Sequence, residues 1–188
     1  MFKGRTLRAP SGRTTRPTAD RTREALFNTL AHASWSDGLH GKRVIDLFAG
    51  SGALGLEAMS RGAAFCLFVE TDEAARGAIR DNIEALGLFG ATRLHRRSAA
   101  DLGSRPASLG APFDVAFLDP PYGKGLAEVS LKGLVAGGWL SDSALAIVET
   151  GSDESAFEAD GFGVQDTRTY GAAQITALTR RPPSAPEG

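Results

Sequence analysis

A short apolar run, a glycine turn and a helical stretch follow one another without a break in the first third of this chain, and few folds accommodate that order. Residues 44–48 read Val-Ile-Asp-Leu-Phe, then Gly50-Ser51-Gly52-Ala53-Leu54-Gly55, and residues 54–59 have the composition of a helix. An apolar strand that passes through glycines into a helix is a βα unit of a parallel sheet covered on both faces. The pattern recurs. Further strands are expected at 65–70, weakly at 92–95, at 113–118 and at 144–149, with helices at 18–31, 72–86 and 126–135 between or before them. Thr18 and Asp20 are candidate N-caps of the first helix, whose Leu26, Phe27 and Leu30 share a face. Asp72 is placed to cap the helix carrying Ile79, Ile83 and Leu86, and Gly87 to end it. Residues 162–170 and 174–179, joined by Gly171-Ala172-Ala173, read as an antiparallel hairpin. The alternation predicts an α/β fold with a doubly wound, mostly parallel sheet closed by that hairpin.

The second constraint lies at the end of 113–118. Asp119-Pro120-Pro121-Tyr122 stands where an open parallel sheet presents its ligand site, beyond the carboxyl end of a strand. The prolines donate no N–H and stiffen the backbone. Asp119 and the Pro120 carbonyl can then act as paired acceptors, which suits an NH2 group with its two donors. Tyr122 adds a flat ring on which a nucleobase can stack. A simple turn after a strand uses the same residue types.

Two cofactors compete for the glycine turn. Gly50-Ser51-Gly52-Ala53-Leu54-Gly55 is a literal G-x-G-x-x-G, and Glu70 ends the next strand twenty residues on, as a dinucleotide site requires. Asp46 argues for the other: a carboxylate inside the first strand repels a pyrophosphate and attracts a cationic amino group. A nucleoside with a charged amino-acid end, beside an acceptor pair for an amine, spells S-adenosylmethionine and N-methylation. A nicotinamide-dependent oxidoreductase is the rival from another class, and a non-catalytic RNA-binding module a third. Carbon methylation of a pyrimidine would need a thiolate near 113–118, but Cys66, the single cysteine, sits among apolar neighbours in a strand. The three histidines have no metal-ligand spacing with it, so no metal is expected.

Net charge is −1, yet residues 1–23 carry +6 and the remainder −7. A basic arm on an acidic body points to a polyanion. Arg16-Pro17-Thr18 runs directly into a helix start, which argues against an organelle transit peptide, and no apolar segment marks a secretory signal. A basic surface around His95, with Arg93, Arg96 and Arg97, would extend the polyanion contact. Nothing in the sequence is long and apolar enough to span a membrane as a helix. One unpaired cysteine fits a reducing, cytoplasmic setting. The expected organisation is a basic arm at 1–19, one domain at 20–180 and a disordered tail at 181–188, with Trp35 and Trp139 as packing residues.

Taken together, Gly4-Arg5, the run Arg16-Pro17-Thr18-Ala19-Asp20-Arg21-Thr22-Arg23-Glu24-Ala25-Leu26-Phe27-Asn28, the Asp46 to Ala58 segment, Val69-Glu70, Asp119-Pro120-Pro121-Tyr122 and Gly137-Gly138-Trp139-Leu140 resemble the bacterial 16S rRNA guanine-N2 methyltransferases. Adenine and cytosine amino-methyltransferases share only the Asp-Pro-Pro-Tyr element, which leaves an adenine-N6 enzyme as an alternative. The resemblance implies a seven-stranded class I methyltransferase fold, S-adenosylmethionine as donor, and 16S rRNA in small-subunit particles as substrate, with a monomeric enzyme expected. It implies catalytic roles for Asp119, Pro120 and Tyr122, and cofactor contacts from Asp46, Gly50, Gly52, Glu70, Ser98 and Ala99. RNA contacts are implied for Arg5, Arg16, Thr18, Arg23 and Pro121. The chain departs from the family pattern twice. Only Met1-Phe2-Lys3 precede Gly4-Arg5 where a short strand is usual, so either that strand is truncated or the start is misassigned. Ser98-Ala99, with Asp101 nearby, replaces an acidic or amide residue followed by alanine at the adenine contact.

Overall fold

The computed structural model describes residues 17–181. Four helices, α1 (Pro17–His32), α2 (Ala53–Ser60), α3 (Glu73–Leu86) and α4 (Leu126–Ala136), flank a seven-stranded sheet. Its strands are β1 (Arg43–Leu47), β2 (Phe65–Val69), β3 (Thr92–His95), β4 (Phe113–Leu118), β5 (Leu140–Gly151), β6 (Phe162–Tyr170) and β7 (Ala173–Arg180). They lie in the order β3-β2-β1-β4-β5-β7-β6. β1 to β5 are parallel, and β7 runs antiparallel to both its neighbours. The chain leaves β1 outward to β2 and β3, then returns to start β4 on the other side of β1. That reversal is the topological switch point, and it opens a crevice between the carboxyl ends of β1 and β4.

Alternation along the strands divides the interior in two. Val44, Cys66, Phe68, Val115, Phe117 and Ile147 face α1, α2 and α3, while Ile45, Leu47, Leu67, Ala116 and Leu118 meet α4 and Trp139. Leu26, Phe27 and Leu30 bury the predicted face of α1, and Phe27 packs on Phe117 at 5.5 Å between ring centroids. Arg168 on β6 donates to the Thr29 hydroxyl at 3.0 Å, bracing α1 against the hairpin. Trp139 is fully buried, with its Nε1–H on the Gly103 carbonyl at 2.7 Å, and Trp35 packs against the first core. Cys66 is fully buried too, and burial holds its thiol well above the usual range. At His95 burial, followed by Arg97 and Arg93, pushes the imidazole below its ordinary value.

Several boundaries differ from expectation. α1 begins at Pro17, so Thr18 and Asp20 lie inside its first turn and do not cap it. Proline is well suited to a first helical position, and an acid there complements the helix dipole. The boundary expected at 19/20 therefore falls within α1. Asp72 does cap α3, accepting from the Ala75 N–H at 2.7 Å, and Gly87 ends it at φ 69. β1 stops at Leu47, because Phe48 turns to φ 58. β5 starts four residues early, at Leu140, which pairs with Phe113 across a bulge. The hairpin turn is two residues, since Ala173 already pairs with Tyr170. Gly171, at φ 61, supplies the positive φ that such turns demand at their first position. Of the expected tail, Arg181 is described and its N–H donates to the Gly161 carbonyl at 2.7 Å, whereas residues 182–188 and most of the basic arm, including Arg5 and Arg16, lie outside the described residues. No helix among the described residues is long and apolar enough to cross a membrane.

Candidate active site

The site grows from the end of β1. Phe48 is the only non-glycine at positive φ among the described residues, an uncommon conformation for a bulky side chain and one that clusters at ligand sites. It turns the chain into the glycine loop. Gly50 and Gly52 adopt φ 55 and 79, and the Gly52 N–H closes the turn on the Ala49 carbonyl at 2.7 Å. Gly55 has a different task. A Cβ there would sit 2.4 Å from Phe68 and 2.6 Å from the Cys66 sulfur, so its absence lets α2 press onto β2.

Two carboxylates fasten this loop. Glu70 accepts the Gly50 N–H on Oε2 and the Asp72 N–H on Oε1, both at 2.8 Å, tying the loop after β1 to the loop after β2. Asp46, only 1% exposed, accepts the Gly55 N–H at 2.9 Å. Burial holds the Asp46 carboxyl well above the ordinary carboxylate range; the Gly55 N–H opposes this, and the charges of Asp119 and Glu70 add to it.

That balance makes a testable statement about stability. The folded pKa of Asp46 exceeds its unfolded value, so the folded state holds the proton more tightly and stability falls as pH rises between the two. Asp46→Asn keeps an oxygen for the Gly55 N–H but cannot ionise. The variant's melting temperature should exceed the parent's by a few degrees at pH 8, about 2–4 °C per kcal/mol for a domain of this size. The gap should shrink as pH falls toward roughly pH 4 and close below it, where the parent's carboxyl is protonated in both states. A gap independent of pH would show that Asp46 carries no buried charge.

At the end of β4, Asp119 is exposed at the rim and Pro120 is buried beneath it. Tyr122 is 45% exposed, and its hydroxyl donates to Glu149 Oε1 at 2.5 Å. Burial first, then the Glu149 hydrogen bond and the charges of Glu149, Asp119 and Glu154, raise the phenol far above its usual value, so it remains a donor. Asp119 and Tyr122 line a cleft of about 410 Å³, which is closed on the far side by Arg23 and Leu26 of α1 and by Ile175 of β7. Leu54, just past the glycine loop, reaches the same cleft. Arg23 is held by Asp20 at 3.1 Å. Glu154 latches the motif from behind, accepting from Gly123 at 3.3 Å and Gly151 at 2.8 Å.

The expected residues are thus sorted by the fold. Asp46, Gly50, Gly52 and Glu70 gather on the glycine loop, and Asp119, Tyr122 and Arg23 share the cleft. Pro121 is exposed and lines the neighbouring hollow with Gly123 and Glu154, outside the cleft. Ser98 is exposed just beyond β3, while Ala99 is buried in the second core; neither lines the cleft. Glu149, Tyr170 and Leu26 line it without having been singled out. For Glu149 the signal was present, an acid closing an apolar run as Glu70 and Asp119 do. Among the described residues no group of three or more His, Cys, Asp or Glu is placed to hold a metal.

Comparison with known proteins places the chain. Residues 1–179 match the family model described as Conserved hypothetical protein 95. Ribosomal RNA small subunit methyltransferase D of Escherichia coli K12 is 38% identical over 150 residues, 80% of this chain and 71% of that protein. The protein of the same name from Haemophilus influenzae is 33% identical over 172 residues, 91% of this chain and 86% of that one. The solved structure of Escherichia coli yhhF superposes with a TM-score of 0.78 at 34% identity, covering 95% of this chain and 93% of the other. The chain belongs to the Conserved hypothetical protein 95 family, that of the small-subunit ribosomal RNA methyltransferases D.

Proposed function

We propose that the chain transfers a methyl group from S-adenosylmethionine to the exocyclic N2 amine of a guanine in 16S ribosomal RNA. The observation that carries this reading is the convergence of Asp46, Glu70 and Asp119 at the carboxyl ends of β1, β2 and β4, where burial first, and then the charges of Asp119 and Glu70, raise the pKa of Asp46. Clustered negative charge beside a glycine loop disfavours a pyrophosphate and favours a ligand bearing an ammonium and a sulfonium. The residues present therefore fit S-adenosylmethionine better than a nicotinamide dinucleotide. Glu70 would hold its ribose, Gly50 and Gly52 would admit it to the backbone, Asp46 would face its cationic end, and Ser98 with Ala99 would flank its adenine. When bound, it supplies a methyl carbon activated by the adjacent positive sulfur.

The chain's own residues do the rest. Tyr122 offers its ring to the base, and its hydroxyl, held by Glu149, limits rotation of that ring. Asp119 accepts a hydrogen bond from the amine, which keeps the nitrogen from lying flat in conjugation with the base. As the new N–C bond forms the nitrogen sheds one proton, and Asp119 would accept it. The apolar walls, Leu26, Leu54 and Ile175 among them, keep water from the reacting amine. Residues 1–19 would reach the phosphates of the RNA through Arg5 and Arg16, with Arg23 of α1 as a further contact and Thr18 and Pro121 beside them. The enzyme would act as a monomer on small-subunit particles in the cytoplasm.

Mass spectrometry of small-subunit RNA from cells with and without the protein tests this reading. One N2-methylguanosine should disappear when the protein is absent. Calorimetry should show binding of S-adenosylhomocysteine and none of NAD. Tight NAD binding, or loss of an N6-methyladenosine in place of the guanosine, would overturn it.

A further inference from the structure

The cleft holds a second carboxylate at the base side of the site. Glu149 closes the apolar stretch of β5, and Leu118 of β4 pairs with Val148, so Asp119 and Glu149 are the next residues on two adjacent parallel strands. Neighbouring strands lie roughly 5 Å apart. Both residues line the same cleft, whose walls include Leu26, Leu118 and Ile147. Tyr122 takes Glu149 Oε1 as its acceptor, and among the described residues Oε2 accepts from none. A carboxylate that lines a cleft with several apolar walls is a ready acceptor for any donor a ligand brings there. The negative field of the cleft, felt by the Tyr122 phenol, calls for a ligand edge made of donors.

Among the nucleobases guanine presents such an edge, with its N1–H directly beside the N2 amine. Adenine has a lone pair at N1, and cytosine a lone pair beside its amine, so a carboxylate at that place repels both. We propose that Glu149 is the residue that selects guanine, accepting the N1–H on Oε2 while Asp119 takes the neighbouring amine; this rests on the guanine-N2 reading above. Tyr122 then has two tasks, offering its ring to the base and fixing through its hydroxyl the carboxylate that reads the base edge. Selection comes from an unpaired, repelled lone pair when the wrong base enters, which discriminates more sharply than shape does.

The test uses small-subunit particles reconstituted with RNA carrying either guanine or 2-aminopurine at the methylated position, and the full-length protein. 2-Aminopurine keeps the exocyclic amine but has a lone pair at N1. The parent should methylate guanine faster by about 100-fold or more. Glu149→Gln can still accept from Tyr122, and its amide can donate to N1. It should slow transfer to guanine and narrow the guanine preference at least ~10-fold, the effect of one hydrogen bond to a charged group. Glu149→Asp, which withdraws the carboxylate by one methylene, should narrow it in the same direction and serves if the glutamine variant folds poorly. Should both variants slow the two bases by equal factors, Glu149 merely holds Tyr122 and the proposal fails. A parent that methylates an adenine at that position and leaves guanine untouched would overturn the guanine-N2 reading and this selection with it.

Discussion

Replacing Asp119 by alanine should lower single-turnover methyl transfer to small-subunit particles by roughly 100- to 1,000-fold, the usual cost of losing one preorganised electrostatic contact at a reacting group. The side chain stands exposed at the rim of the cleft, beyond the last buried residue of β4, so its removal leaves no void in either core. Affinity for S-adenosylhomocysteine should stay within a few-fold, because the glycine loop is fastened by Glu70 and by Asp46 through other bonds. Asp119→Asn separates two contributions. It keeps an oxygen acceptor for the amine but loses the charge that favours its departing proton, and should fall between parent and alanine variant. Wild-type rates in the alanine variant would reduce the Asp-Pro-Pro-Tyr element to a turn.

The second large effect belongs to Phe27. Its ring is fully buried, lies 5.5 Å from Phe117 and carries the Arg61 guanidinium 5.2 Å from its centroid. Truncation of a buried phenylalanine to alanine costs about 3–5 kcal/mol through lost transfer energy and a residual cavity. For a domain of this size that corresponds to a drop in melting temperature on the order of 10 °C. Because α1 supplies Thr22, Arg23 and Leu26 to the cleft, the loss should reach function as well. RNA engagement should weaken more than cofactor binding, since the glycine loop rests on α2, α3 and β2. Phe27→Leu, which refills most of the volume, should recover the larger part of both. A variant that melts with the parent would mean that α1 is not anchored through this ring.

How much of this was legible in the sequence depended on how each element is buried. β1, β2 and β4 are covered on both faces, so they read as unbroken apolar runs and were located to within a residue or two. β5 was found only from Ala144 onward, because Ser141, Asp142 and Ser143 carry its early part across a bulge where side chains meet solvent. The glycine loop and Asp119 were visible because their chemistry is local: a turn, a strand end, an unusual cluster of prolines. The cleft wall was not. It is assembled from α1, β5 and β7, and although Glu149 closes an apolar run as Glu70 and Asp119 do, nothing in Leu26, Tyr170 or Ile175 taken singly announces that they meet. The expected N-caps failed for a local reason, since Pro17 starts the helix itself and leaves Thr18 and Asp20 within the first turn.

The bond between Arg168 and Thr29 spans 139 positions of sequence and has a bearing on how the molecule comes into being. α1 precedes the sheet in sequence, yet part of what covers it lies far along the chain, in β4 and in the β6–β7 hairpin. In the donor-site half, β2 and β3 find their strand partners within residues 43–95, whereas β1 also pairs with β4. The cleft has a wall contributed by β7 and acquires that wall only once this strand has been made. Domains of this kind mature from local units toward long-range closure. Closing the cleft at Ile175 and bracing α1 through Thr29 are therefore one event, the docking of the β6–β7 hairpin against the sheet and the helix.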